Sequence, residues 1–241
     1  MLDSLVLGYG EIGSALLKVL SKRTGNLSCG ATDIKNSDFE TVLSEGCITL
    51  HVCIPFSEKF EEYVERYAEL SKAEFIIIHS TVQVGTTTSL AKKLNLPVVH
   101  SPVQGQHPDL EESILHFTKL IGTSSTEEFT RASTEMSNLT CVKLESSDAS
   151  ELGKLLSTAY YGVCLEWHRE MKRICDTLHV DFAAAVTTVN QVYNEGYRKF
   201  KPNVIRPVLT PPEGPIGGHC VVSNARVLEQ KVDSKFLKFI K

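Results

Sequence analysis

The sequence predicts an α/β protein: a doubly wound, mostly parallel sheet of the Rossmann type, followed by a helical domain with one long central helix. Three observations carry this. A glycine-rich turn, GYGEIG at Gly8–Gly13, stands between an apolar run and a helical pattern. Strand-like apolar runs and amphipathic runs then alternate along the first half of the chain. From Ser147 the strand pattern stops, and apolar residues recur at helical spacing from Asp148 to Val180 without a proline. The implied division is residues 1–146 for a dinucleotide-binding domain and 147–241 for a helical domain.

Each element follows from local chemistry. In the glycine turn, Gly8 allows a tight bend, Gly10 lets the backbone approach a pyrophosphate, and Gly13 lets the following helix pack closely on the sheet. Tyr9, Glu11 and Ile12 complete that cofactor-binding turn. The helix after it offers free N–H groups and a partial positive charge to phosphates. A second apolar stretch, LSCGATDI, ends in Asp33, about 20 residues beyond the fingerprint, the spacing of a ribose-binding acid. A carboxylate there accepts from both ribose hydroxyls and repels a 2′-phosphate, which predicts NAD over NADP, with Lys35 as the residue that would soften the preference.

Further strands follow at CITLHVCIPF, EFIIIHSTV, PVVHSPV, TKLIGTS and NLTCVKLE, for about seven in all. FEEYVERYAELSK and VGTTTSLAKKLN read as helices, the second with Thr86, Thr87 or Thr88 as its N-cap. Ligands in such sheets lie at the carboxyl ends of the strands. Pro55, Ser80, Thr81, Ser101 and Pro102 fall there and are expected to line the nicotinamide side of a cleft.

The long helical pattern far exceeds an ordinary helix of about 11 or 12 residues. It must cross a domain or subunit boundary, so a homodimer is expected. DFAAAVTTVNQVYNEGYRKF reads as a second helix capped by Asp181. A turn-rich loop, PPEGPIGGHCVVSN, then carries Cys220, and NARVLEQKVDSKFLKFI closes the chain as helix.

Composition excludes several classes. The 241 residues are 42% hydrophobic and 22% charged with a formal net charge of −4, an ordinary globular balance without attraction to nucleic acid. No run approaches the roughly 20 apolar residues of a membrane span, and the first residues enter a strand without a basic leader. A cytoplasmic protein with no membrane partner is expected. The seven cysteines are scattered without a CxxC pair, so they should be reduced and no metal site is implied.

The motifs GYGEIG, the Asp33-Ile34 pair, VCIP, STVQVGTT, ELGK and GPIGGHC occur in the order seen in the UDP-glucose/GDP-mannose dehydrogenase family of the 6-phosphogluconate dehydrogenase-like superfamily. The chain resembles that family from Leu5 to about Leu228, and its GGHC element resembles the UDP-N-acetylmannosamine dehydrogenase branch. The resemblance implies NAD on the first domain and dimerisation through the central helix. It also implies oxidation of a sugar C6 alcohol twice, through a cysteine-bound thiohemiacetal and thioester. Cys220 would be the nucleophile, with His219 or the local backbone dipoles lowering its pKa. Lys154 matches the lysine that stabilises the oxyanion, and Thr81 the threonine associated with the catalytic water.

Departures from the family pattern are equally specific. Thr158 replaces an asparagine, Val103 the glutamate of Ser-Pro-Glu, and Asn224 an aspartate four residues after the cysteine. Both carboxylates of the hydrolytic half are therefore absent. The chain also stops at Lys241, where family enzymes continue into a nucleotide-sugar-binding domain, so it resembles a truncated member. His107 begins a segment that resembles the His-Pro stretch of prephenate dehydrogenases, though its neighbours read first as a helix cap. Arg198 and Arg206 would suit a phosphate or carboxylate of the substrate. The expectation is an NAD-dependent oxidoreductase acting on a sugar-like or hydroxy-acid alcohol, the substrate being a small molecule such as a sugar or sugar nucleotide. The alternatives are a two-electron dehydrogenase or reductase without thioester hydrolysis, and a non-catalytic dinucleotide-binding regulatory subunit.

Overall fold

The computed structural model describes residues 1–25, 27–34, 46–105, 108–216 and 220–240. Two compact units, Met1–Lys154 and Leu155–Lys241, make up the chain.

In the first unit, seven strands form one sheet: β1 Leu2–Leu7, β2 Cys29–Thr32, β3 Cys47–Val52, β4 Phe75–Ile78, β5 Val98–His100, β6 Lys119–Gly122 and β7 Cys141–Leu144. Their order is β2-β1-β3-β4-β5-β6-β7. Every neighbouring pair is parallel except β5 and β6, which meet antiparallel at His100 and Gly122. Helices α1 Glu11–Ser21, α2 Phe60–Leu70, α3 Thr86–Leu94, α4 Leu110–His116 and α5 Thr126–Glu135 connect the strands.

Helices cover both faces, so the central strands are apolar on both sides. Leu5, Leu7, Leu50, Val52, Ile76 and Ile78 join one cluster with Phe60, Val64 and Leu90. Val6, Phe75, Ile77 and Val99 join the other with Leu16, Leu20 and Ala132. Each such side chain contributes roughly 1.5–3 kcal/mol on burial. Leu7, Val52, Ile78 and His100 lie level across β1, β3, β4 and β5. The residues after them therefore gather along one edge, and the strand order reverses direction between β1 and β3 there.

The start of α3 corrects the sequence reading. Its N-cap is Gly85, left-handed at φ 94°, and no threonine side chain caps it. Glu151 supplies the acceptor instead, taking hydrogen bonds from Gly85 N at 2.7 Å, Thr87 N at 2.9 Å and Thr87 Oγ1 at 2.6 Å. Glu151 belongs to the long helix α6, Ser147–Thr177. Together with Ser150, whose hydroxyl lies 2.7 Å from His100 Nδ1, it ties the first turns of α6 to the sheet. The two units consequently divide at Lys154, inside the helix rather than before it.

The second unit holds the rest of α6, a π-helical segment Ala183–Thr188 that runs into α7 Val189–Tyr197, a 3₁₀ turn Pro202–Val204, α8 Val221–Glu229 and a 3₁₀ turn Leu237–Phe239. Asp181 Oδ1 accepts from Ala184 N at 2.8 Å, a cap at the place the sequence suggests. α6 and α8 approach at Gly162, where a Cβ would lie 2.7 Å from Val221 Cγ1 and 3.0 Å from Ile240 Cγ2. The closing helix begins at Val221, earlier than its apolar pattern implies, and stops at Glu229 before the turn-forming Asp233 and Ser234. No helix among the described residues is long and apolar enough to cross a membrane. All seven cysteines are free thiols.

Candidate functional site

The glycine turn sits at the carboxyl end of β1. Gly8 takes φ +97°, and a Cβ there would lie 2.9 Å from the Cys53 carbonyl and from Ile54 Cγ2. At Gly13 a Cβ would fall 1.8 Å from the Gly8 carbonyl oxygen, so only glycine lets α1 start this close to the strand. Gly10 differs from both: a Cβ on it would meet nothing within 4 Å. The protein's own packing does not demand glycine at residue 10, and the space beside it is open.

Gly10 is also the N-cap of α1, and as a glycine it brings no side chain of its own to the cap. The start of α1 thus opens onto that space with no side chain on its own cap residue, an arrangement that lets a phosphate approach the helix N-terminus. At the end of β2, Asp33 Oδ2 accepts from Tyr9 N at 2.8 Å. The carboxylate is thereby held against the turn, and Tyr9 is exposed beside it.

The neighbouring strand ends contribute in different ways. Pro55 is exposed after β3, and Thr81 is half-buried after β4. Ser80 is buried, and its hydroxyl donates to the Ile54 carbonyl at 2.6 Å, joining the ends of β3 and β4. After β5, Val103 turns its side chain into the hydrophobic core. Its carbonyl oxygen accepts from Lys154 Nζ at 2.8 Å. The residue standing where the resemblance has a carboxylate therefore presents backbone to the lysine, not a side chain.

In the second unit, Cys220 is exposed and is the N-cap residue of α8. Asn224 N donates to the Cys220 carbonyl at 3.0 Å, the first helical bond. Asn224 is buried, and its amide donates to Thr158 Oγ1 on α6 at 3.3 Å. Two residues singled out separately in the sequence thus form a pair, one turn along from the cysteine. Arg206 is exposed and stacks its guanidinium 3.6 Å over the Tyr193 ring, while Asn194 clamps its backbone through N and O at 2.8 Å each. Arg198 is exposed. His107 and His219 lie outside the described residues, as does Lys35.

Sequence reasoning missed a row of buried polar groups in the first unit. His51, His79, His100 and Lys119 are all at most 3% exposed. His51 Nε2 lies 3.0 Å from Glu135 Oε1, which also pairs with Arg23 at 2.6 Å and accepts from Ser4 Oγ at 2.5 Å. Burial works against the charged form of Glu135, but the hydrogen bonds from His51 and Ser4 and the charge of Arg23 outweigh it and bring its carboxyl to about 2. Burial drives the imidazoles the other way, lowering His51 and His79 and taking His100 to about 3. The available signal was a histidine repeated near the end of three successive apolar strands, in LHV, IIIHS and VVHS.

No protein-family model and no curated protein matches the chain in sequence. Solved structures match it in fold. The UDP-D-ManNAc dehydrogenase of Pyrococcus horikoshii superposes with a TM-score of 0.77 over 98% of this chain and 67% of its own, at 16% identity. The UDP-glucose dehydrogenase of Pyrobaculum islandicum gives 0.76 over 100% of this chain and 67% of its own, at 14% identity. The 3-hydroxyisobutyrate dehydrogenase of Mycobacterium tuberculosis gives 0.70 over 99% of this chain and 90% of its own, at 12% identity. The chain thus has the fold of these dehydrogenases and spans about two thirds of the length of the sugar-nucleotide enzymes.

Proposed function

We propose that this chain is an NAD-dependent dehydrogenase acting on a CH–OH group, related to the UDP-sugar dehydrogenases and working in the cytoplasm. The observation that carries the reading is the glycine turn. Gly8 and Gly13 are required by close backbone contacts, Gly10 faces open space at the start of α1, and Asp33 is fixed to the turn through Tyr9. That combination fits a dinucleotide: α1 N–H groups for the pyrophosphate, and a carboxylate at the end of β2 for the ribose. Bound NAD would supply the hydride acceptor.

The protein's own groups divide the remaining work. Lys154, positioned by the Val103 carbonyl, would stabilise negative charge developing on the substrate oxygen. Thr81 would orient substrate or water at the end of β4. Cys220 would add to an aldehyde carbon, with Asn224 and Thr158 holding the start of α8 in place. The substrate would be a sugar-like or hydroxy-acid alcohol. Exposed apolar residues along α6, including Tyr160 at 64% and Trp167 at 56%, support a homodimer formed on that helix.

Calorimetric titration with NAD and NADP, followed by product analysis with UDP-sugars and 3-hydroxy acids, tests this. The expected result is micromolar to millimolar NAD binding, weaker NADP binding and NADH formation. Absence of NAD binding at millimolar concentration would overturn the reading. A second reading has its own support: Val103, with its side chain in the core, and Asn224 stand at the two places where the resemblance has acids, so neither place offers a carboxylate for thioester hydrolysis. It has the enzyme stop after one two-electron step, giving one NADH per substrate and a carbonyl product rather than a carboxylate.

A further inference from the structure

The first stretch of α6, from Ser147 to Lys154, belongs to the sheet unit, yet apolar packing does not seat it there. Ala149, Leu152 and Gly153 are exposed, and the buried residues in the stretch are Ser150 and Glu151. Ser150 has its hydroxyl 2.7 Å from His100 Nδ1, and it lies so close to Gly122 that a Cβ on that glycine would fall 2.1 Å from the hydroxyl oxygen. An exposed contact between the hydroxyls of Ser147 and Thr88, 3.3 Å apart, adds to the hold. The attachment of this part of the helix is therefore polar, and its buried share falls to two neighbouring residues.

Glu151 is the stronger of the two, because it uses both carboxylate oxygens. Oε1 accepts from Thr87 N at 2.9 Å and from Thr87 Oγ1 at 2.6 Å, and Oε2 accepts from Gly85 N at 2.7 Å. All three partners are donors at the start of α3, where the helix dipole favours a negative charge. Two of them are backbone groups that cannot swing aside, so the grip fixes α6 against α3 in place as well as in charge. The loop that leads into this start is the one that carries Thr81.

Lys154 stands three residues on, on the same face of the helix. Its Nζ donates to the Val103 carbonyl at 2.8 Å. An ammonium on a long flexible stem keeps one position only when the backbone beneath it is fixed as well as the charge at its tip. The Val103 carbonyl receives the tip, and Glu151 anchors the turn that bears the stem.

We propose that Glu151 is the positioning residue of Lys154: by clamping the first turns of α6 to the start of α3, it sets the place from which the lysine reaches the segment after β5. This rests on the reading of Lys154 as the group that stabilises the substrate oxygen. One turn of α6 then governs two loops of the candidate site, the Thr81 loop through Glu151 and the Val103 segment through Lys154.

Glutamine at residue 151 keeps the size but not the acceptor count, having one oxygen and one amino group for two places that each face a backbone N–H. Whichever way it turns, a donor meets a donor and one grip is lost. Aspartate keeps the charge and falls short by one methylene.

Two readings on the full chain decide, and neither needs substrate or cofactor. The ¹³C shift of the Val103 carbonyl reports its hydrogen bond from Lys154, with Lys154→Met giving the unbonded position. Hydrogen exchange of the Gly85 and Thr87 amides reports the clamp. In Glu151→Gln and Glu151→Asp at least one of those amides should exchange faster by about threefold or more, and the Val103 carbonyl should move most of the way to its Lys154→Met position. In Lys154→Met the two amides should keep their wild-type rates, because the clamp does not depend on the lysine. Faster amides with an unmoved Val103 carbonyl would overturn the proposal and leave Glu151 a cap of α3 alone. Unchanged amides in both Glu151 variants, or faster ones in Lys154→Met, would overturn it too. If one Glu151 variant does not fold, the other is read the same way; if neither folds, the Lys154→Met amides decide. Failure to bind NAD would sink the dehydrogenase reading and leave both of these readings where they are.

Discussion

Gly10 and Gly13 separate binding from folding, because their surroundings differ in kind. At Gly13 an added Cβ would overlap the Gly8 carbonyl oxygen at 1.8 Å, and backbone cannot rotate away as a side chain can. Gly13→Ala must push α1 off β1, and since Leu16 and Leu20 on the same helix are fully buried, the shift disturbs their packing too. A loss of about 3 kcal/mol, at the upper end of overpacking costs, is expected. At Gly10 the added methyl meets nothing within 4 Å and φ is −80°, so alanine is allowed there. Replacing an N-cap glycine by alanine costs up to about 1 kcal/mol. Reduced freedom of the unfolded chain returns about 0.4–1 kcal/mol, leaving stability nearly unchanged. A dinucleotide laid over that turn would meet the new methyl, and NAD affinity should fall tenfold or more, about 1.4 kcal/mol. Urea denaturation and calorimetric NAD titration of the two variants measure both quantities. Wild-type NAD affinity in a folded Gly10→Ala protein would refute placement of the pyrophosphate at this turn. A strongly destabilised Gly10→Ala would refute the account of its packing.

Three further outcomes follow from other contacts. Glu151→Ala strips the acceptor from two backbone N–H groups and the Thr87 hydroxyl at the start of α3, and should cost about 2–4 kcal/mol by urea denaturation. Glu135 is held at about 2 when folded against an ordinary 4.5, so its stabilising effect is complete above pH 4.5 and drains away as pH falls toward 2. Glu135→Gln should flatten that acid limb in a series of denaturation curves against pH. Trp167→Glu and Tyr160→Glu place charges on exposed apolar positions of α6 and should convert the proposed dimer to a monomer by sedimentation velocity, with little change in monomer fold.

Much of the first unit was legible because its signals are local. Uninterrupted apolar runs such as FIII and LVL mark strands buried on both faces, and glycine at residues 8 and 13 marks backbone contacts that no other residue permits. What escaped was non-local. The cap of α3 comes from Glu151, 64 residues beyond Thr87, so three threonines at the helix start looked sufficient. His51 finds its carboxylate 84 residues away on α5, and Lys119 faces carbonyls of the segment that follows β5. A single histidine in an apolar strand carries no mark of such partners. The start of α8 at Cys220 was hidden for a different reason: cysteine is not a capping residue, and the prolines and glycines before it read as one continuous loop.

The departures around the proposed chemistry bear on which half of the reaction survives. Val103 has its side chain in the core, so a carboxylate at residue 103 would need either burial without a partner or a reversed backbone at the end of β5. The backbone there is held twice over, by Lys154 at the Val103 carbonyl and by Lys119 at the two carbonyls before it. Asn224 and Thr158 satisfy each other through an amide and a hydroxyl, which holds α8 to α6 without a titratable group. Neither pairing can move a proton at neutral pH in the way a carboxylate does. On the resemblance, the chain has Lys154 and Cys220 where an alkoxide would be stabilised and a bond to carbon formed, whereas the places of the water-activating acids hold Val103 and Asn224. On the proposed function, substrate oxidation is therefore better provided for than hydrolysis of a thioester, and a thioester formed on Cys220 would turn over slowly unless water reached it with help from Thr81 alone.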